Sequence, residues 1–269
     1  HPPHPAPTVA LVTHGHLLVA GDADGRVSGT TLSTYRPIVF WQAHQGAVLR
    51  ADAWSGYLVT HGRDHSLRVW KMPDELGSVA LSSSMAKNLP LPTMLHEMGV
   101  NALNYCAYDM CIRNEDTPTL DGWLVIPNTL ESGWIDLYHV PSQQRIIESL
   151  GRQADIRSGT ERPAIVMALQ ICILRDILWI VAGYEDGVLQ AWTIPVSTME
   201  PTLVWTHKSH AESIMALSMS PTCDSVLSLG ADYNIVRTAL HQEAVPHVQR
   251  IKRPGHACAS IRWDERVCV

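Results

Sequence analysis

The sequence predicts an all-β chain of the β-propeller kind, built by repeating one four-stranded motif. Two observations carry that reading. A turn containing Gly and Asp, followed by a short apolar strand, returns every few tens of residues, and in several copies a His stands well upstream of the turn. Repetition on this scale marks an array of one supersecondary motif. The segments between the turns are short, β-rich and punctuated by Gly, Asp and Pro, the pattern of sandwiches and propellers.

Taken in order, the first turn is Ala20-Gly21-Asp22-Ala23-Asp24-Gly25, leading into Arg26-Val27. The second repeat is the clearest: His44, then Thr60-His61-Gly62-Arg63-Asp64, then Leu67-Arg68-Val69-Trp70. Its strands a, b and c are expected over 47–54, 57–60 and 67–70, and 37–41 reads as strand d of the repeat before it. Pro37 can open such a strand because an edge position loses no ladder donor. The third repeat is degenerate. His96 leads into 100–108 as strand a, Ser132 falls where other copies carry Asp, and Tyr138 falls where they carry Trp. The fourth copy is Ala182-Gly183-Tyr184-Glu185-Asp186-Gly187 before Val188-Leu189-Gln190-Ala191-Trp192; the fifth is His210, Ser228, Asp232 and then Ile235-Val236-Arg237-Thr238. A last copy starts at Gly255-His256. The expectation is one domain over 1–269, with repeats at about 4–41, 44–95, 96–150, 163–205, 210–252 and 255–269. The chain starts without Met and inside what reads as a repeat, so it is expected to be a fragment with two open sheet edges, prone to aggregate.

The recurring polar residues have a structural explanation. His44, Thr60, Asp64 and Trp70 can close one hydrogen-bond chain, in which Asp meets His, His meets the hydroxyl, and the hydroxyl meets the indole N–H. His210, Ser228 and Asp232 repeat three of the four. Such a set satisfies buried polar groups and fixes a turn. The same residue types also make catalytic triads, but recurrence in pieces across several repeats is what scaffolding does.

These residues resemble the WD-repeat family, whose blades carry a Gly-His pair, an Asp turn and a Trp-Asp ending. Gly255-His256 keeps the pair, no blade ends in Trp-Asp, and Thr30 and Thr238 stand in the Trp position. A closer resemblance is to the fungal ASTRA-associated WD-repeat proteins. It rests on Leu18-Val19-Ala20-Gly21-Asp22-Ala23-Asp24-Gly25, Trp41-Gln42-Ala43-His44, Thr60-His61-Gly62-Arg63-Asp64, Val100-Asn101-Ala102-Leu103-Asn104-Tyr105-Cys106 and Ile135-Asp136-Leu137-Tyr138-His139-Val140-Pro141-Ser142. The resemblance implies a seven-bladed, non-catalytic subunit of the ASTRA complex in the nucleus, with the cytoplasm as a second location. It also implies a link to chromatin remodelling, and work beside the Tel/Tti co-chaperone assembly that matures PI-kinase-related kinases.

Bulk properties narrow the alternatives. The chain has 269 residues, a net charge of −6 and only 20 Lys plus Arg, which gives no basic field for direct nucleic-acid binding. Its six cysteines form no C-x-x-C pair and several lie in apolar runs, the pattern of reduced, buried thiols. No apolar run is long enough for a membrane helix. His14-x-His16, His61-x-x-x-His65 and His207-x-x-His210 have metal-like spacing but no further ligands at fixed offsets, so neither metal nor cofactor is expected. The calcium-like string at 21–25 lacks its terminal Glu. Trp263-Asp264-Glu265-Arg266 matches a ligase-adaptor string but falls outside the register such a string needs.

Partner contacts are expected on the loops of the turn face. The long connection 151–163 brings Arg152, Arg157 and Arg162 there, with Arg63 and Tyr184 nearby. The insertions over 72–92 and 114–121 read as surface loops. Besides the ASTRA reading, two others stay open. One is a different WD-repeat adaptor, such as a ligase substrate receptor or G-protein-β-like module; the other is a propeller enzyme. Asp64→Ala is expected to cost about 1–3 kcal/mol by leaving buried donors unpaired, measured by urea unfolding against the wild-type chain.

Overall fold

The structure, a computed structural model, describes residues 6–14, 17–54, 56–73, 89–104, 106–113, 122–140, 142–152, 163–241 and 246–252. The described strands form five four-stranded antiparallel sheets, each wound in sequence order. The first sheet holds β1 (Thr8–His14), β2 (Leu17–Asp22), β3 (Arg26–Thr31) and β4 (Pro37–Gln42). The second holds β5 (Val48–Trp54), β6 (Tyr57–Gly62), β7 (Ser66–Lys71) and β8 (Thr93–Gly99). The third is β9 (Asp109–Ile112), β10 (Gly122–Pro127), β11 (Ile135–Val140) and β12 (Arg145–Leu150). The fourth is β13 (Val166–Leu174), β14 (Ile177–Tyr184), β15 (Val188–Pro195) and β16 (Thr202–Lys208). The fifth is β17 (Ile214–Met219), β18 (Ser225–Gly230), β19 (Asn234–Ala239) and β20 (His247–Arg250). The all-β class expected from the repeats is therefore the class observed, and these sheets are of the kind propellers are built from. The repeat expected at 255–269 lies outside the described residues.

Chain contacts divide the protein into two compact units. One comprises 1–105 with 115–118 and carries the first two sheets; the other comprises 106–114 with 119–269 and carries the remaining three. Within each sheet, burial follows the strand order. The second strands are covered almost throughout, as in β10 and β18, where every residue is buried. Strands buried on both faces read as continuous apolar runs, which is why Trp123-Leu124-Val125-Ile126 shows no alternation. The last strands of the second and fifth sheets lie mostly open to solvent, all of β20 being exposed.

The cores lie between neighbouring sheets of a unit. In the first unit Val19, Val27, Val39, Val48, Leu58 and Trp70 pack together, with Trp41 set edge-on to Trp70 at 5.5 Å. In the second, one cluster joins Val125, Ile135 and Leu137 to Leu178, Ile180 and Trp192. Another joins Val181, Leu189 and Trp205 to Ile214, Val226 and Leu240.

Two expectations need correction. The third repeat was expected to begin with strand a over 100–108 and with His96 in the loop before it. Instead β8 continues through His96, which pairs with Val69 on an exposed strand. The first strand of the third sheet is β9. The cause is local: Asn101 Oδ1 accepts the backbone N–H groups of Leu103 (2.8 Å) and Asn104 (3.0 Å), closing a side-chain turn where a strand would have to be extended. The boundary between the second and third repeats therefore falls after Gly99.

One glycine position is dictated by a side chain. A Cβ on Gly62 would lie 2.4 Å from Cγ of His44, and a Cβ on Gly230 would lie 2.4 Å from Nδ1 of His210. The imidazole rings occupy the space a side chain would fill. Gly62→Ala is expected to destabilise the chain by roughly 1–3 kcal/mol through overpacking, with a matching loss for Gly230→Ala. Denaturant midpoints check both, and wild-type midpoints would show that the rings have room to move.

Candidate functional site

The polar set of the second sheet is one continuous chain of hydrogen bonds. Trp70 Nε1 donates to Thr60 Oγ1 at 2.9 Å, and that hydroxyl lies 2.7 Å from His44 Nε2. The opposite nitrogen, His44 Nδ1, lies 2.9 Å from Asp64 Oδ1. The Asp64 carboxylate can only accept, so the neutral imidazole carries its hydrogen on Nδ1 and the hydroxyl, accepting from the indole, donates its own proton to Nε2. Asp64 also accepts from Ser66 Oγ at 2.8 Å and from the backbone N–H of Gln45 at 2.8 Å, while Arg68 sits 3.3 Å from its other oxygen. Arg68 then pairs with Glu97 of β8 at 2.7 Å, so the set ties three strands and the preceding loop together. His44 and Thr60 are fully buried.

The fifth sheet repeats the arrangement with one link fewer. His210 Nδ1 lies 3.1 Å from Asp232 Oδ1 and Nε2 lies 2.8 Å from Ser228 Oγ. Asp232 accepts the N–H groups of Ala211 (3.1 Å) and Asn234 (2.9 Å). The position matching Trp70 is Thr238, buried opposite Val226, and its hydroxyl meets no partner among the described residues. Each His-bearing loop also rests on the sheet before it. The carbonyl of Gly25 accepts from Ala43 and His44, and that of Gly187 accepts from Ser209 and His210. Both glycines have positive φ, 83° and 82°, and a Cβ there would strike the His carbonyl oxygens.

Sequence reasoning missed what happens in sheets whose turn has no Gly at this position. The position held by Gly62 and Gly230 is Asp22 in the first sheet, Asn128 in the third and Tyr184 in the fourth, each buried. Asp22 Oδ1 takes the N–H groups of Asp24 (3.0 Å) and Arg26 (2.8 Å). Asn128 takes those of Leu130 and Glu131, and its own amide reaches Asp136 Oδ1 at 2.9 Å. Asp136, fully buried, also accepts from the N–H of Ser149. The signal was in the chain: Asp22, Asn128 and Tyr184 stand where Gly62 and Gly230 stand in the other two turns. The buried acid of the first turn is accordingly Asp22, whereas Asp24 is exposed and pairs with Arg26 at 3.1 Å.

The expected partner-binding residues are placed differently from one another. Arg63 is exposed at the tip of the β6–β7 turn, its N–H bound to Ala47 O. Arg152 is exposed, with its guanidinium 5.2 Å from the ring centre of Trp134. Arg157 and Arg162 lie outside the described residues. Tyr184 does not belong on a binding face: it is 5% exposed, and its hydroxyl donates to Gln190 at 3.0 Å. With no imidazole beside it, the ring fills the blade interior. The metal-like His pairs do not converge either. His61 is buried while His65 is exposed, and His210 is held in its own set. Among the described residues no three His, Cys, Asp or Glu side chains are grouped to hold a metal ion. His16, the insertions over 74–88 and 114–121, and Trp263 to Arg266 lie outside the described residues. Among the described residues no helix is long and apolar enough to cross a membrane.

Fold and site together define an all-β repeat protein of the propeller kind, in which polar residues of the turns bind one another and the backbone. No protein-family model matches the chain. It is 30% identical to ASTRA-associated protein 1 of Penicillium rubens over 98% of this chain and 71% of that protein. It is 32% identical to the Verticillium alfalfae protein of that name and 30% to the Pyricularia oryzae one, each over 85% of this chain. The chain spans only 57% and 49% of the length of those two relatives. The chain belongs to the ASTRA-associated protein 1 family. Among solved structures, the computationally designed Ika8 protein matches with a TM-score of 0.64 over 97% of this chain and 67% of its own, at 15% identity, a likeness of fold alone.

Burial pushes the pKa of His44 down, outweighing the Asp64 carboxylate beside it. Burial likewise lowers that of His61, to about 4. Asp64 lies below its ordinary value because the Gln45 N–H, the Ser66 hydroxyl and His44 overcome its own desolvation. All three groups bind protons more weakly in the folded chain. Their stabilisation is complete above the ordinary His value of 6.5 and is lost as pH falls, first through the two imidazoles and then through the carboxylate. From 6.5 to about 4, His61 accounts for roughly 3 kcal/mol. Urea unfolding at pH 7, 6 and 5 should show stability falling, with His61→Leu flattening the slope. An unchanged slope in that variant would remove His61 from the account.

Proposed function

We propose that this chain is a non-catalytic scaffold of the WD-repeat kind that joins the ASTRA complex. One observation carries the reading: its fungal relatives bear the name ASTRA-associated protein 1, over nearly the whole of this chain. The geometry supports the scaffold part. A residue constellation that could pass for a triad, His44 with Asp64 and Thr60, is fully engaged in joining Trp70 to the β6–β7 turn. A nucleophile bound on both sides inside a blade has no room for a substrate, and the recurrence at His210 fits a structural part. The finer reading is that the chain sits beside the Tel/Tti co-chaperone assembly in the nucleus, and serves chromatin remodelling and the maturation of PI-kinase-related kinases.

In this reading the partner-binding residues are Arg63 in the first unit and Arg152, with Arg157 and Arg162, in the second. Arg is favoured at interface centres because its planar fork both stacks and bonds bidentately. The test is affinity purification of the tagged full-length protein from nuclear extract, compared with an Arg152→Ala/Arg157→Ala/Arg162→Ala variant. Recovery of ASTRA and Tel/Tti subunits with the wild-type protein, and at least a tenfold loss with the variant, is the expected outcome. Recovery of ubiquitin-ligase adaptors alone would retire this reading in favour of another adaptor role. Undiminished recovery by the variant would move the interface elsewhere.

A further inference from the structure

A cleft of about 790 Å³ opens between β12, the last strand of the third sheet, and β16, the last strand of the fourth; both sheets belong to the second compact unit. Ile147 and Leu150 of β12 line it, as do Pro201 and Leu203 where β16 begins, and the buried Trp192 of β15 completes its apolar surface. Leu203 is 42% exposed here. The walls are fixed in advance. The N–H of Ile171 donates to Asp109 Oδ2 at 2.7 Å and that of Val166 to Ser132 O at 2.9 Å, tying the fourth sheet to the third. The chain is left-handed at Ser149 (φ 57°) and again at Gly151 (φ 100°), and a Cβ on Gly151 would meet nothing nearer than the Trp192 ring at 3.9 Å. Two charged side chains stand among the lining residues, Glu148 and Arg152. Glu148 is already paired with Arg145 at 3.1 Å, and Arg145 also reaches Asp136 at 3.4 Å. Arg152 makes no ion pair among the described residues; its guanidinium rests on the Trp134 ring. An arginine stacked in this way keeps its edge N–H groups free, in a planar fork that fits a carboxylate.

We propose that this cleft docks a peptide segment of a partner protein in which a large apolar side chain stands next to an acidic one. The apolar side chain covers Leu203 and the surface lined by Trp192, and the carboxylate pairs with Arg152. The proposal rests on the scaffold reading above and adds to it the chemistry of the segment bound. Charge complementarity selects the acid, because Arg152 is the lining charge left without a counter-ion while Glu148 already has one. Neither half of the segment is sufficient. An acid alone makes an exposed ion pair, which is worth little in water. An apolar residue alone gains burial but nothing that fixes its direction along the cleft, the part that a few placed polar groups play in such sites. The cleft has room for more than one side chain, and the open edge of β16, the end strand of its sheet, offers backbone groups to the segment on either side of the anchor. Because the walls are already tied together, little ordering is spent on binding.

The test is a library of random dodecapeptides displayed on phage, selected on the immobilised full-length protein and in parallel on Arg152→Glu and Leu203→Asp. Both positions are exposed, so each variant should melt with the wild-type chain. The wild-type protein should enrich peptides that carry Asp or Glu adjacent to Leu, Met, Phe or Trp. A synthetic peptide from that pool should bind Arg152→Ala about tenfold more weakly. Arg152→Glu should enrich Lys or Arg beside the apolar residue instead, a reversal that a merely structural arginine would not produce, and Leu203→Asp should lose the wild-type pool. No enrichment on the wild-type protein, a pool without acids, or a pool kept by both variants overturns the proposal. Purification of ASTRA subunits with the same wild-type protein separates the two readings. ASTRA recovery without a peptide pool sinks the cleft alone, whereas an acidic–apolar pool without ASTRA recovery sinks the scaffold reading and leaves the cleft standing.

Discussion

The second sheet depends on one imidazole, His44, that burial keeps neutral inside it. In the second sheet His44 is enclosed by Thr60 on one nitrogen and Asp64 on the other, and its backbone is pinned to Gly25 of the sheet before. Isolated, any of these polar groups would cost more to bury than it returns. Joined in a chain that ends on the Trp70 indole, every member is satisfied, and the low dielectric of the blade interior strengthens the links. The cost falls on composition: the ring needs the space above Gly62, the turn needs Asp64, and the strand needs a hydroxyl at Thr60. One buried ring therefore prescribes residue types at three remote positions.

That constraint also explains the irregular sheets. Where a larger residue stands at the Gly position, that residue closes the turn, and the solution differs each time. Asp22 and Asn128 satisfy turn N–H groups by themselves, whereas Tyr184 fills the space with its ring and passes its hydroxyl to Gln190. Asp136 completes the third sheet from an adjacent strand, bonding Asn128 and the N–H of Ser149. These are different ways of closing the same turn rather than decay of one pattern.

Much of the architecture was legible in the residues. The turns over 20–25, 60–64, 182–187 and 228–232 and the strands that follow them are local features, set by Gly and Asp chemistry and by short apolar runs. The His44 and His210 sets were legible too, because their spacing repeats. The third sheet was not. Asn101 closes a turn with its own side chain inside a stretch whose apolar pattern imitates a strand, and His96 sits where an upstream His would be expected. Pattern alone cannot tell an imidazole on an exposed last strand from one in a buried loop; only what packs around it does.

By itself, then, the sequence determined the all-β class, the place of most strands and which residues could form the recurrent polar set, because these follow from periodicity and turn chemistry within a few tens of residues. The tertiary structure decided the rest. It placed Tyr184 in the core and Asp22 beneath its turn, and it gave Asp136 a partner in Asn128. Each of these outcomes turns on which strand lies beside which sheet, and on how much space a neighbouring ring leaves. Such contacts join residues far apart along the chain, and no local pattern of residues encodes them.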